Sequence, residues 1–149
     1  MNISEICNRQ VAVARRNESL LEAARRMREF HVGCLVVVEE EGEKRIPVGL
    51  LTDRDILMEV LAEGVPLEKI SVEDVMASPL ATAREQDGIY ETIQQMRRKG
   101  VRRIPIVDEG QSLVGILTMD DLLELLSEEM SHLSSIFSRG REFEAMTRP

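Results

Sequence analysis

The chain has 149 residues, 27 of them acidic and 19 basic, for a formal net charge of −8. Hydrophobic residues make up 43 % and charged residues 31 %, the balance of a globular chain and not of a disordered one. The charge argues against bulk binding to nucleic acid or an anionic membrane. No apolar run reaches the ~18 residues of a membrane helix. The first ten residues lack a signal-peptide pattern. Two cysteines, Cys7 and Cys34, cannot form a disulfide framework, so a reducing cytoplasm is the expected compartment. With only Phe30, Phe137, Phe143 and Tyr90 as aromatics, the core must be aliphatic, supplemented by methionine.

In chain order the pattern predicts a short helix over 3–7, a small strand at 11–13 and a helix over Leu20–Phe30, apolar at 20, 23, 24 and 27. A β-hairpin follows, 34–38 turning into 46–51, with the charged stretch between them read as a long turn. A helix then starts at Thr52. Gly64-Val65-Pro66 marks a linker. The series repeats: a short helix over 72–76, a strand at 80–82, a helix over Ile89–Lys99, a hairpin of 103–107 and 113–117, and a helix from Thr118. Gly42 and Gly110 are expected in the hairpin turns, where positive φ costs glycine little. Past the second copy, Leu122, Leu126, Met130, Leu133 and Phe137 continue an apolar helical stripe. That stripe either folds back on its own domain or serves self-association, and residues 139–149 are expected to fray.

The two series are copies. The ten residues 48–57 lie over 114–123 at an offset of 66, with six identities and two Leu/Ile exchanges. Upstream the offset is 69: Met27-Arg28 matches Met96-Arg97, and Val32 matches Val101. Expected boundaries are 1–63 for the first repeat, 64–70 for the linker, 71–127 for the second repeat and 128–149 for a C-terminal extension.

Thr52-x-x-Asp55 and Thr118-x-x-Asp121 stand where a buried strand becomes a helix. A threonine three residues before an acid is a capping box, which needs no ligand. The same place is also an anion site, because free amides of a helix N-terminus face outward. A carboxylate there can accept two hydrogen bonds from a ribose diol. Gly49 and Gly115 precede the motif and permit close approach by backbone or ligand.

The doubled Gly-hydrophobic-hydrophobic-Thr-x-x-Asp, set after a valine-rich hairpin and a Met-Arg helix, resembles a tandem pair of cystathionine-β-synthase (CBS) domains, a Bateman module. The resemblance spans roughly residues 2–127. It implies an α/β fold of two β-α-β-β-α repeats related by a pseudo-twofold axis, with an extended C-terminal helix. It also implies a regulatory sensor with two clefts for AMP, ADP, ATP, S-adenosylmethionine or NAD as effector, and no obligatory cofactor. By resemblance Asp55 and Asp121 hold ribose, Thr52 and Thr118 reach ribose or phosphate, and Leu50 and Ile116 line the base. The backbone at Ala12 and Ala81 meets adenine, beside Val32 and Val101. The family's phosphate-binding place holds Arg102 and Arg103 in repeat two but Gly33 and Cys34 in repeat one. Guanidinium groups grip phosphate by charge-assisted bonds, so the Thr118, Asp121 and Arg103 cleft is expected to be the stronger site.

Other features imply less. His31-x-x-Cys34 has too few ligands for zinc, Cys7 reads as an exposed thiol, and the Arg25, Arg26 and Arg28 cluster reads as a solvated helix face, like Arg97, Arg98 and Lys99. Two functions are compatible with the whole: a ligand sensor acting on an unidentified regulated protein, or an interaction module with vestigial clefts. A small enzyme is disfavoured because the repeats occupy most of the chain. A homodimer is expected, since similar modules pair into flat discs.

Overall fold

In the computed structural model, which describes residues 1–78 and 80–147, the two repeats form two three-stranded sheets. The first holds β1 (Val13–Arg15), β2 (Cys34–Glu41) and β3 (Lys44–Thr52), in that order. β1 runs parallel to β2 through α1 (Leu20–Phe30), and β2 and β3 form an antiparallel hairpin. The second repeats the plan with β4 (Ala83–Arg84), β5 (Arg103–Val107) and β6 (Leu113–Thr118), connected through α4 (Ile89–Lys99). α2 (Asp53–Ile56), wound on by a π-helical turn over Leu57–Leu61, closes the first copy, and α5 (Met119–Thr147) closes the second. The pattern of strands buried on both faces thus produces the expected α/β architecture.

Each repeat has its own aliphatic core: Leu20, Ala23, Met27, Leu35, Val37 and Leu51 in the first, and Met96, Ile104, Ile106 and Leu117 in the second. Val36, Val38 and Leu113 form a third cluster where the sheets meet, joined by Val11, Val13, Leu50 and Ile116. Period-2 alternation sorts β2 plainly, with Leu35 and Val37 facing their own helices and Val36 and Val38 facing the other repeat, while register shifts interrupt the alternation in the hairpin partners β3 and β6.

The short leaders pack on the opposite copy. Ile3, in a 3-10 turn over Ile3–Glu5, is fully buried in the core of the second repeat, and Val72, opening α3 (Val72–Val75), is fully buried in that of the first. Backbone bonds fix both: Ile3 N–H to Asp87 O at 3.0 Å, and Val72 N–H to Glu18 O at 2.8 Å. Gly49 and Gly115 serve this exchange. A Cβ on Gly49 would lie 2.7 Å from Met76 Sδ, and one on Gly115 would lie 3.0 Å from both Asn8 O and Cys7 Sγ. Close packing of the leaders' backbone and side chains demands those glycines.

Several local expectations are corrected. The strands at 11–13 and 80–82 begin two or three residues later, so Ala12 and Ala81 lie in extended segments before β1 and β4. The stretch after Val38 is strand, not turn, because Glu41 pairs with Lys44 and leaves a two-residue turn with Gly42 at φ +64°. Alternating side chains project into solvent there, which lets charged residues extend a hairpin. In the second hairpin positive φ falls on Gln111 instead of Gly110, and Asp108 Oδ1 ties the loop by accepting from Gly110 N–H and Ser112 N–H. α5 is helical through Thr147 instead of fraying from 139, and the remaining residues lie outside the described range. Arg26 is not merely solvated: it donates to Val13 O at 2.9 Å and pairs with Glu18 at 2.6 Å.

Candidate functional site

Strand alternation places Cys34 and Val36 of β2, Arg103 of β5, and Ile116 and Thr118 of β6 toward the space between the repeats. In β6 Ile116 and Thr118 are half-buried on one face while Leu117 between them is buried in the core of repeat two, and the ladder skips Val114. The opposite wall comes from repeat one. α1 ends in a left-handed His31 (φ 54°) whose N–H, with that of Val32, returns to the last carbonyls of the helix. That stop leaves Val32 at the surface beside the extended Val11-Ala12 segment.

The result is one cleft in two adjoining lobes. The outer lobe, about 420 Å³, is walled by Asn8, Gln10, Val11, Ala12, Phe30 and Val32. The inner lobe, about 210 Å³, shares Ala12 and Val32 and adds Gly33, Cys34, Arg103, Ile116 and Thr118. A smaller pocket of about 170 Å³ continues past Thr118 along Arg102, Arg103 and Asp120. Five residues singled out from the sequence (Ala12, Val32, Arg103, Ile116 and Thr118) thus meet around one space, with Arg102 at its outer end.

Both capping boxes are formed. Thr118 Oγ1 accepts from Asp121 N–H at 3.1 Å, and Asp121 Oδ2 accepts from Thr118 N–H at 3.0 Å. Thr52 and Asp55 repeat the pair at 3.1 and 3.0 Å. The box holds each carboxylate in a fixed orientation at a helix N-terminus, half-buried at the repeat interface.

The second candidate set occupies the matching places: Leu50 and Thr52 at the end of β3, Asp55 on α2, Ala81 before β4, and Val101 after α4. The counterparts of Arg102 and Arg103 are Gly33 and Cys34. Burial pushes the Cys34 thiol up to about 11, with Arg103 pulling it down and Asp55 and Asp53 pushing it up. Cys34 therefore lies in the fields of both Arg103 and Asp55. Cys7 is half-buried against Gly115 instead of exposed, and burial raises its thiol too.

Asn8, Gln10, Val11 and Phe30 of the outer lobe and Val36 of the inner were not among the residues expected from sequence. Phe30 carried a signal, as an aromatic at the end of α1 in a chain with few, where the second copy has Lys99. No cluster of three or more metal-ligating side chains occurs among the described residues.

Comparison with known proteins settles the family. The family model described as CBS domain matches residues 3–62 and 72–128. The chain belongs to the CBS domain family. This CBS pair is 34 % identical over 125 residues to the uncharacterized protein MK0525 of Methanopyrus kandleri, covering 84 % of this chain but only 62 % of that protein. It is also 34 % identical over 121 residues to the CBS domain-containing protein YhcV of Bacillus subtilis, covering 81 % of this chain and 82 % of YhcV. Among solved structures, the CBS domain pair of protein MJ0100, crystallised with 5'-methylthioadenosine and S-adenosyl-L-methionine, superposes with a TM-score of 0.74 at 26 % identity. The match covers 87 % of this chain and 98 % of that one. An uncharacterized conserved protein from Pyrococcus horikoshii gives a TM-score of 0.71 at 35 % identity, covering 83 % and 90 %. No described helix is long and apolar enough to cross a membrane.

Proposed function

We propose that this CBS pair is a non-enzymatic regulatory module that binds an adenosine-containing effector in the cleft between its repeats. The observation that carries the reading is the convergence of apolar walls, the Arg103 guanidinium and Thr118 on one space, with Asp121 bonded to Thr118 in its capping box. Ala12, Val32 and Ile116 offer apolar contact for a base, and the exposed ring of Phe30 offers a face for stacking. Asp121 takes the ribose hydroxyls with the carboxylate lone pairs its cap leaves over. Thr118 and Arg103, with Arg102 at the outer end, take phosphate. The Leu50, Thr52, Asp55, Ala81 and Val101 set forms a weaker site, because Cys34 stands where a guanidinium is needed. The co-crystallised ligands of MJ0100 support the adenosine class; among AMP, ADP, ATP, S-adenosylmethionine and NAD, the arginines favour a phosphate-bearing member. Two states of different ligand affinity transmit occupancy to a regulated protein. Two copies pair as a homodimer, and the module works in the cytoplasm. Residues 1–63 and 71–127 are its sensing repeats, 64–70 the linker, and 128–149 an extension for association.

The test is a calorimetric and thermal-shift panel of those five ligands against the wild type, Asp121→Ala and Asp55→Ala. A ligand at 100 times its dissociation constant raises stability by ~2.7 kcal/mol. The expected result is binding by the wild type, with Asp121→Ala more damaging than Asp55→Ala. Absence of binding at millimolar ligand would reduce both Thr-x-x-Asp pairs to helix caps.

A further inference from the structure

From residue 126 onward every described residue of α5 is exposed, so more than five turns of helix stand clear of the body. Most helical stability in proteins comes from packing of an apolar face, and here that face meets nothing in its own chain. The helix surface is strongly sided. Leu123, Leu126, Met130, Leu133 and Phe137 follow one another at steps of 3, 4, 3 and 4, the a/d spacing of a coiled coil. They are 55, 53, 67, 61 and 64 % exposed. The opposite face carries Asp121, Glu128, Ser135 and Glu142.

We infer that this stripe pairs antiparallel with the same helix of a second copy. Charge selects both the occupant and its direction. With Asp121, Glu128 and Glu142 on the opposite face, the first half of α5 still bears Asp120, Glu124 and Glu129, whereas the second half bears Arg139 and Arg141 with Glu144. Parallel copies would set Glu144, which continues the stripe's spacing, against its own duplicate in the seam. An antiparallel copy in the register that seats Met130 against Leu133, and Leu126 against Phe137, brings Asp120 opposite Arg141 of the second copy. The same register delivers Phe143 of the second copy to Leu122. There the fold has an apolar groove of about 270 Å³ between α4 and α5, walled by Ile93, Met96, Val101, Met119 and Leu122. An exposed ring on one copy and an open apolar groove on the other thus coincide in a register fixed by the stripe alone. The inference rests on the homodimer proposed above, not on the ligand.

Two measurements on the full chain test it. Light scattering should give a wild-type mass at least twice 16.9 kDa, halved by Leu133→Glu, an exposed position that leaves the fold intact. Spin labels at Ser131→Cys or Ala145→Cys, in a Cys7→Ala/Cys34→Ala background, should then separate the directions. Antiparallel pairing predicts neighbouring labels at 131 and a separation of about 40 Å at 145, from a rise of 1.5 Å per residue. A wild-type monomer would overturn both the helix pairing and the homodimer. A Leu133→Glu variant of unchanged mass would overturn the helix pairing alone. Neighbouring labels at 145 would overturn the antiparallel direction. Ligand binding is read separately, so its failure would bear only on the sensor.

Discussion

Asn8 and Ile116 exchange two backbone hydrogen bonds of 2.9 Å each, stitching the leader of the first repeat onto the last strand of the second. Ala77 and Leu50 make the reciprocal pair at 2.8 and 3.2 Å. The cleft lies beside the first of these seams, with Asn8 in its wall and Ile116 in its floor. Cleft geometry and mutual docking of the repeats are therefore one structural element, which gives a ligand there a route to shift one repeat against the other.

Gly115→Val should destabilise the fold by roughly 1–3 kcal/mol, the usual cost of overpacking, because the new side chain meets Asn8 O and Cys7 Sγ at 3.0 Å. Gly49→Val should behave alike. Gly140→Ala, where no atom lies within 4 Å, should leave the body's melting unchanged. Chemical denaturation of the three variants checks the contrast.

Thr52→Ala and Thr118→Ala should each cost about 1 kcal/mol through loss of the cap. Only Thr118→Ala should also weaken phosphate-bearing ligands strongly. Comparing the melting of both apoproteins with ligand titrations separates the two roles.

Glu18 links stability to pH. Burial pushes its carboxyl up, but the Arg26 hydrogen bond and the Arg15 N–H outweigh this and hold it below its ordinary value of 4.5. A depressed folded value means the pair stabilises the fold above about pH 4.5 and loses that contribution as pH falls through the folded value. Glu18→Gln should therefore be less stable than wild type at pH 7, with the difference shrinking toward pH 3. Urea unfolding across that range measures it.

With its thiol raised to about 11, Cys34 should react slowly with thiol reagents at pH 8, since the thiolate is the nucleophile. It lines the inner lobe, so an effector seated there should slow the reaction further. Reagent kinetics with and without AMP, using Cys7→Ala to isolate one thiol, reads both effects.

Much of this was legible in the residues. The offset between Val48 and Val114 announces two copies, and the Thr-x-x-Asp pairs mark the strand-to-helix corners that now hold both capping boxes. The alternation in β6 places Ile116 and Thr118 on one face. The exchange of Ile3 and Val72 between repeats was not legible, because a short apolar leader carries no record of which copy buries it. Nor was Phe30's place in the cleft, which depends on the left-handed stop at His31, a conformation uncommon outside glycine. The charged hairpin was misjudged for a related reason: strand pairing overrides composition where side chains alternate into water.

The most direct test of the account is calorimetric titration of AMP and of adenosine into the wild type and Arg103→Ala. The account predicts that wild type binds AMP more tightly than adenosine. It also predicts that removing the guanidinium costs AMP about 1.5–3 kcal/mol, the range for a hydrogen bond to a charged group, and costs adenosine little. Equal losses for both ligands, or an AMP affinity indifferent to Arg103, would contradict it.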